Sequence, residues 1–254
     1  MITHYLKNWH EWRRLMLDYT KCTKALWKIY RESTIPIIPD IKCKSPGEGD
    51  LIRGRDPAVL AAELETAGAP VISVVTEAAH FGGSPELLLS ITKRVKIPVM
   101  RKDFITNRDM LKESAEYGAS GVLLISSMLE KRQLVQLVDY ARRLGLEPLV
   151  ETHSKDEIRF ADEQGLSFIG INNRDIGLFE TDNGDVGVTE QLAADVSSGA
   201  LVLSESALSC REDILMAAKA GAHAVLVGTA ILKADNSTDM YKALSGVHHG
   251  RICT

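Results

Sequence analysis

From residue 35 onward, short apolar runs alternate with amphipathic stretches of helical length, the pattern of parallel βαβ units. Eight runs read as strands, near 35–41, 70–75, 97–101, 120–125, 146–151, 167–171, 200–204 and 223–227. Helices are predicted over 57–67, 85–94, 107–117, 130–143, 154–164, 188–195 and 211–220, with a last one over 237–245. Pro36, Pro70, Pro98 and Pro148 fall at or near strand starts, where a missing N–H does least harm. Upstream, Leu6, Trp9, Trp12, Leu15, Met16, Tyr19, Leu26 and Ile29 recur at roughly helical spacing among charged residues, which predicts one or two amphipathic helices over 4–32. Trp9, Trp12 and Trp27 on this extension read as surfaces packed against a domain, with a lid over a site as the second reading.

An internal echo bears on how the strands close. Gly118-Ala-Ser-Gly-Val-Leu-Leu-Ile125 resembles Gly221-Ala-His-Ala-Val-Leu-Val-Gly228, four βα units later. Related fourth and eighth units are what two half-barrels give, and a parallel eight-stranded sheet covered by helices closes on itself. The predicted fold is therefore an α/β (β/α)8 TIM barrel over residues 34–254, preceded by a helical extension over 1–33. A doubly wound open sheet is the competing architecture, but no G-x-G-x-x-G follows the first strand to favour it.

In such a barrel, chemistry sits at the C-terminal ends of the strands. The first strand ends in Asp40-Ile-Lys42-Cys-Lys44-Ser45, where an apolar run passes directly into charge. Asp40, Lys42 and Lys44 share parity, so while strand geometry holds their side chains point to one side about 7 Å apart. The second strand ends in Thr76-Glu77 followed by His80-Phe81-Gly82-Gly83-Ser84, and the third in Arg101-Lys102-Asp103-Phe104. The fifth delivers Glu151-Thr152-His153, the sixth Asn172-Asn173-Arg174-Asp175, the seventh Ser204-Glu205-Ser206 and the eighth Gly228-Thr229. The fourth brings mainly apolar Leu124 and Ile125. Strand starts carry mostly Ile, Val, Pro and small residues, so the ionisable groups gather at one rim. Ser206-Ala207 and Gly228-Thr229 are small enough for backbone N–H groups to approach an anion, and Thr229-Ala-Ile-Leu-Lys233 could open a short extra helix.

Composition narrows the classes of function. At 254 residues, 45% hydrophobic and 25% charged, the chain is an ordinary globular protein with material for a large core. A formal net charge of −4 speaks against nucleic-acid binding as its main business. Cys22, Cys43, Cys210 and Cys253 lie far apart without a C-x-x-C pair, which signals neither a zinc site nor a disulfide framework and fits reduced thiols in the cytoplasm. Met1–Lys28 has no apolar signal region and no run reaches 18 apolar residues, so a soluble, unprocessed protein without membrane partners is expected. Monomer and homodimer both remain open.

Taken in order, Ile38-Pro-Asp40-Ile-Lys42-Cys-Lys44-Ser-Pro46, Val74-Val-Thr-Glu77 with Phe81-Gly-Gly-Ser84, Arg101-Lys-Asp-Phe104, Leu149-Val-Glu151-Thr-His153, Gly170-Ile-Asn-Asn-Arg-Asp175 and Ser204-Glu-Ser206 resemble the indole-3-glycerol phosphate synthase family. The resemblance spans about residues 35–232. It implies a carbon–carbon lyase of tryptophan biosynthesis that converts 1-(2-carboxyphenylamino)-1-deoxyribulose 5-phosphate into indole-3-glycerol phosphate, CO₂ and water, without metal or organic cofactor. It further implies Lys102 as general acid, Glu151 as the acid/base carboxylate of dehydration, and Lys42 as the holder of the substrate carboxylate. Asn172 and Glu205 would face the sugar hydroxyls and amine, with Asp40 beside them. Ser45, Arg174, Ser206, Ala207, Gly228 and Thr229 would surround the phosphorylated end, and Phe81, Phe104 and Leu124 the aromatic ring. Asp40 stands where the family carries Glu, Cys43 and Gly47 also depart from its pattern, and Ala207 replaces a usual Gly. These departures leave two further readings: a relative acting on another aryl-amino or sugar phosphate, and a non-catalytic barrel that binds a phosphate ligand.

Overall fold

The protein is described by a computed structural model over residues 21–174, 185–197 and 199–250. The apolar pattern from Leu6 to Tyr19, the last residue of the Gly170–Asp175 block and Cys253 lie outside the described residues.

Eight parallel strands form a closed barrel: β1 Ile37–Ile41, β2 Ile72–Val75, β3 Val99–Lys102, β4 Gly121–Ile125, β5 Glu147–Thr152, β6 Phe168–Asn172, β7 Leu201–Glu205 and β8 Ala224–Val227. Each strand pairs with its sequence neighbour, and β1 closes the ring on β8 in the register Ile37↔Val225 to Pro39↔Val227. Each expected strand is present within two residues of its predicted bounds. Several outer helices begin at a capping side chain. The Asp56 carboxylate accepts from the N–H groups of Ala58 and Val59 ahead of helix Pro57–Thr66, and Pro57 has no amide hydrogen to leave unpaired. Ser84 with Pro85, Asn107, Ser154 and Asn236 cap the helices that follow them in the same way.

The alternation of side chains sorts each strand into two faces. Outward residues such as Ile72, Val74, Val122, Leu124, Val150, Ile169, Val202 and Val225 pack under the helices. Inward residues Ile38, Met100, Leu123, Ile125, Leu149, Phe168, Leu201, Leu203, Ala224 and Leu226 fill the barrel. Going two residues further along the inward face changes apolar into polar: Ile38 gives way to Asp40, Met100 to Lys102, Leu149 to Glu151 and Leu203 to Glu205.

Helix α1, Cys22–Tyr30, belongs to the extension and closes the opposite end. Cys22 and Leu26 are fully buried in the inner barrel cluster, and the Thr23 backbone N–H donates to Glu147, the first residue of β5, at 3.0 Å. Trp27 and Tyr30 pack against His223 just ahead of β8, and the His249 ring stacks on Tyr30 at 4.1 Å. Within 22–30 the extension is therefore a plug at the strand starts, and the lid reading does not apply to this helix.

Among the described residues, no helix is long and apolar enough to cross a membrane.

Candidate active site

Polar side chains meet where the inward faces end. Asp40, Lys42, Glu151, Asn172 and Glu205 are buried, and the Lys102 ammonium reaches into the space between them. Lys102 Nζ lies 3.4 Å from Glu151 Oε2 and 3.5 Å from Glu205 Oε2, so one cation serves two carboxylates. Asn172 Nδ2 donates to Glu151 Oε1 at 3.1 Å, and Asn172 Oδ1 accepts the Arg174 N–H at 3.1 Å. Gly170 on β6 makes room for this constellation, since a Cβ there would collide with Glu205 Oε1.

The shared cation divides the two carboxylates electrostatically. Burial alone would raise the Glu151 carboxyl, but Lys102, His153 and the Asn172 amide outweigh it and hold the group below the ordinary carboxylate range. Glu205 is pushed the other way, by burial first and then by the charges of Glu151 and Asp40, against the pull of Lys102. Of the pair, Glu205 holds a proton more readily and Glu151 is the anion. Two carboxyl groups with opposed proton affinities around one ammonium can give and take protons within one cavity.

The cavity has two joined lobes that share Asp40, Lys42, Lys102, Arg174 and Ser206. One lobe, about 580 Å³ including space open to solvent, is walled by Val75, Phe81, Phe104, Leu123 and Ile125. The other, about 1070 Å³ including space open to solvent, is walled by Ser206, Ala207, Ser209, Gly228, Thr229 and Lys233. A flat apolar group suits the first and a hydroxylated anion the second.

Each wall is held from behind by a polar network. Arg101 points outward, opposite to Lys102, and donates to Thr76 Oγ1 at 2.8 Å, Glu113 Oε2 at 2.7 Å and Asp103 Oδ2 at 3.0 Å. Asp103 in turn accepts the Phe104 N–H at 2.8 Å, which sets the turn that carries Lys102 and Phe104 inward. Glu77 accepts the backbone N–H groups of Ala79, His80 and Phe81 and so shapes the loop behind Phe81. Asn173 Nδ2 donates to Ser204 Oγ and to the carbonyls of Glu205 and Ser206, while its Oδ1 accepts the Thr189 N–H. This ties down the loop after β7, where Ser206 and Ala207 both take left-handed backbone angles, φ 67 and 59.

Several expected site residues move when placed in space. Leu124 faces outward beneath the helices, and its neighbours Leu123 and Ile125 line the apolar lobe instead, because the pleat turns alternate residues to opposite faces. Ser45 is buried in a short antiparallel pair, Lys44–Ser45 with Gly49–Asp50, and lines neither lobe. Lys44 leaves the parity of Asp40 and Lys42 because β1 ends at Ile41; its ammonium donates to the Ala79 carbonyl at 3.1 Å on the exposed side of the β1 loop. The expected short helix is present over Thr229–Lys233, and Lys233 pairs with Glu48 at 2.6 Å beside the polar lobe. Sequence reasoning did not assign His153, Asn173 or Lys233 to the site. His153 keeps the parity of Glu151, the one signal that would have marked it, whereas Asn173 acts from the outward face.

Among the described residues, no three His, Cys, Asp or Glu side chains converge to hold a metal ion.

A closed parallel barrel with an acid–base cavity at the strand ends defines the class, a (β/α)8-barrel protein built like an enzyme. Its shape is similar to that of a solved mandelate oxidase variant carrying an FMN adduct, with a TM-score of 0.61 over 82% of this chain and 71% of that one; at 14% identity the likeness is one of fold. The family model described as indole-3-glycerol phosphate synthase matches residues 13–244. Relatives of that name are 45% identical in Pyrococcus furiosus, over 82% of this chain and 90% of theirs, and 41% identical in Pyrococcus abyssi, over 89% and 96%. One from Streptomyces coelicolor is 41% identical over 80% of this chain and 74% of its own. The chain belongs to the indole-3-glycerol phosphate synthase family.

Proposed function

We propose that this protein closes the indole ring of indole-3-glycerol phosphate from 1-(2-carboxyphenylamino)-1-deoxyribulose 5-phosphate, with loss of CO₂ and water. The observation that carries the reading is the Lys102 ammonium held 3.4 and 3.5 Å from the two buried carboxyl groups, Glu151 and Glu205, at the junction of an apolar and a polar lobe. The aryl ring lies between Phe81, Phe104, Leu123 and Ile125, and the phosphate among Ser206, Ala207, Gly228, Thr229 and Arg174. That leaves the ribulose chain across Lys102.

Ring closure needs a proton at the ribulose carbonyl oxygen as the ring carbon attacks, and Lys102 supplies it. Lys42, buried on the β1 wall beside Asp40, holds the aryl carboxylate until the C–C bond breaks and CO₂ departs. Dehydration then needs an acid at the leaving hydroxyl and a base for the remaining proton. Glu151, the ionised member of the pair, is the base; Asn172 keeps its carboxylate oriented, and Glu205 stays close enough to Lys102 to retune it.

Purified protein given this substrate is expected to produce the fluorescent indole product. Lys102→Ala should lower kcat by about 10²–10⁴-fold, the usual worth of a positioned general acid. Full-length folded protein that leaves the substrate untouched would overturn the assignment and favour another aryl-amino or sugar phosphate.

A further inference from the structure

The reaction proposed above has a proton balance that the cavity must meet. The substrate's ring carboxylate enters as an anion and leaves as neutral CO₂, and the carbonyl oxygen leaves as water. Each turnover at neutral pH therefore takes one proton from solution. Glu151, Glu205 and Lys42 are buried, and a substrate filling both lobes covers Lys102 as well. A proton needs a way in that does not pass through the occupied mouth.

His153 stands on such a way. It follows Glu151 by two residues, just past β5, and its ring is held between two carboxylates. Nε2 lies 3.3 Å from Glu151 Oε1, the oxygen that also accepts from Asn172 Nδ2, while Oε2 is the nearer one to Lys102. Nδ1 lies 3.8 Å from Glu157 Oε2 in the first turn of helix Lys155–Glu163. Glu157 is anchored there by the His153 backbone N–H at 2.6 Å, and its side chain is 23% exposed, against 0% for Glu151. The carboxylate–imidazole–carboxylate row thus runs from the closed interior to the rim. The charged groups facing it are Lys102 and Glu205 at the inner end, through Glu151, and Glu157 at the outer end. Both ring contacts have ion-pair spacing.

We propose that Glu157 and His153 form the proton inlet of the active site, with His153 passing to Glu151 the proton consumed in each turnover. The inference rests on the reaction assigned above. Lys102 is left neutral when it has protonated the carbonyl oxygen; Glu151, 3.4 Å away, hands it a proton and is itself resupplied at Oε1 from His153 Nε2, and the imidazole is recharged at Nδ1 from Glu157, which exchanges with water. No electron changes hands and no other reactant is required. Lys102 as acid and Glu151 as base keep the roles proposed above, and His153 acts through Glu151 as a positioning and relay residue.

The test compares wild-type protein with His153→Asn, His153→Ala and Glu157→Gln. His153→Asn should lower kcat about 10-fold or more, less than the roughly 10²–10⁴-fold of a group that meets the reacting atoms, because His153 acts through Glu151. KM should stay within about twofold, as expected when a group that does not bind the substrate is lost. The deficit should deepen as pH rises and protons become scarce, with a larger solvent deuterium isotope effect on kcat. Added imidazole should restore His153→Ala in proportion to its concentration, which a residue that only fills space would not permit. Glu157→Gln, at the rim, should show the same pH trend in weaker form. A His153→Asn protein with wild-type kcat and pH profile would overturn the inlet, as would a folded His153→Ala protein that imidazole does not rescue. If neither His153 variant folds, an unchanged pH profile in Glu157→Gln overturns it. Wild-type protein that makes no indole product would overturn the reaction assignment, a failure distinct from either.

Discussion

At the scale of single residues, the site depends on positions whose conformation matters as much as their chemistry. Ala207 sits at φ 59 in the loop that walls the polar lobe, although its Cβ disfavours that region. A left-handed non-glycine residue costs about 1–2 kcal/mol, and the extra freedom of glycine in the unfolded chain returns about 0.4–1 kcal/mol of that. Ala207→Gly is therefore expected to stabilise the protein by about 0.5–1 kcal/mol in denaturant titrations. Leu123 and Leu124, adjacent in sequence, should separate function from stability. Leu124→Ala leaves a cavity beneath the helices and should cost about 2–5 kcal/mol with KM unchanged. Leu123→Ala opens the wall of the apolar lobe and should raise KM about 10-fold, the worth of roughly two buried methylenes against the aryl ring. Equal effects of both on KM would contradict the division of β4 into an inner and an outer face.

At the scale of elements, each strand carries a gradient along its inner face, apolar at the start and ionisable at the end. Helix Cys22–Tyr30 completes that gradient by covering the apolar end with Cys22 and Leu26. Leu26→Ala should cost about 2–5 kcal/mol of stability, read from the denaturation midpoint, while kcat and KM measured well below the melting temperature stay near wild type. Loss of substrate affinity in that variant would mean that the extension reaches the mouth. The β1 loop shows the limit of element-level reasoning. Its alternation predicted that Lys44 would join Asp40 and Lys42, but the strand stops at Ile41 and the chain folds back into the Lys44–Asp50 hairpin.

At the scale of the whole molecule, the charges of the cavity link stability to pH. Burial opposes a charge on His153, but Glu151 and Glu157 outweigh it and push its pKa up to about 10 from an ordinary 6.5. A group whose folded pKa is raised stabilises fully below its unfolded value and loses that contribution as pH climbs through the folded one. The stability difference between wild type and His153→Asn is therefore expected to be largest near pH 6 and to vanish between about pH 6.5 and 10. Melting temperatures across that range check it, and a difference that grows with pH would refute the ion-pair arrangement. Glu151 has the opposite sign, because its depressed pKa supports folding above its unfolded value and withdraws that support in acid.

Much of this was legible before any coordinates. Periodicity determined the strand order, the barrel and the rim on which Asp40, Lys42, Lys102, Glu151, Asn172 and Glu205 gather, because burial on both faces of a parallel sheet leaves long apolar runs and abrupt polar ends. Three things were decided only by tertiary structure. The first is which side of the pleat Leu124 falls on, and that Ser45 leaves the barrel for the Lys44–Asp50 hairpin, both matters of register and local strand ends. The second is that Arg101 and Asn173, as polar as their catalytic neighbours, serve from behind the walls. The third is the division of labour between Glu151 and Glu205. Both are buried glutamates at strand ends, and only the placement of Lys102, Asp40 and His153 around them makes one an anion and lets the other keep its proton.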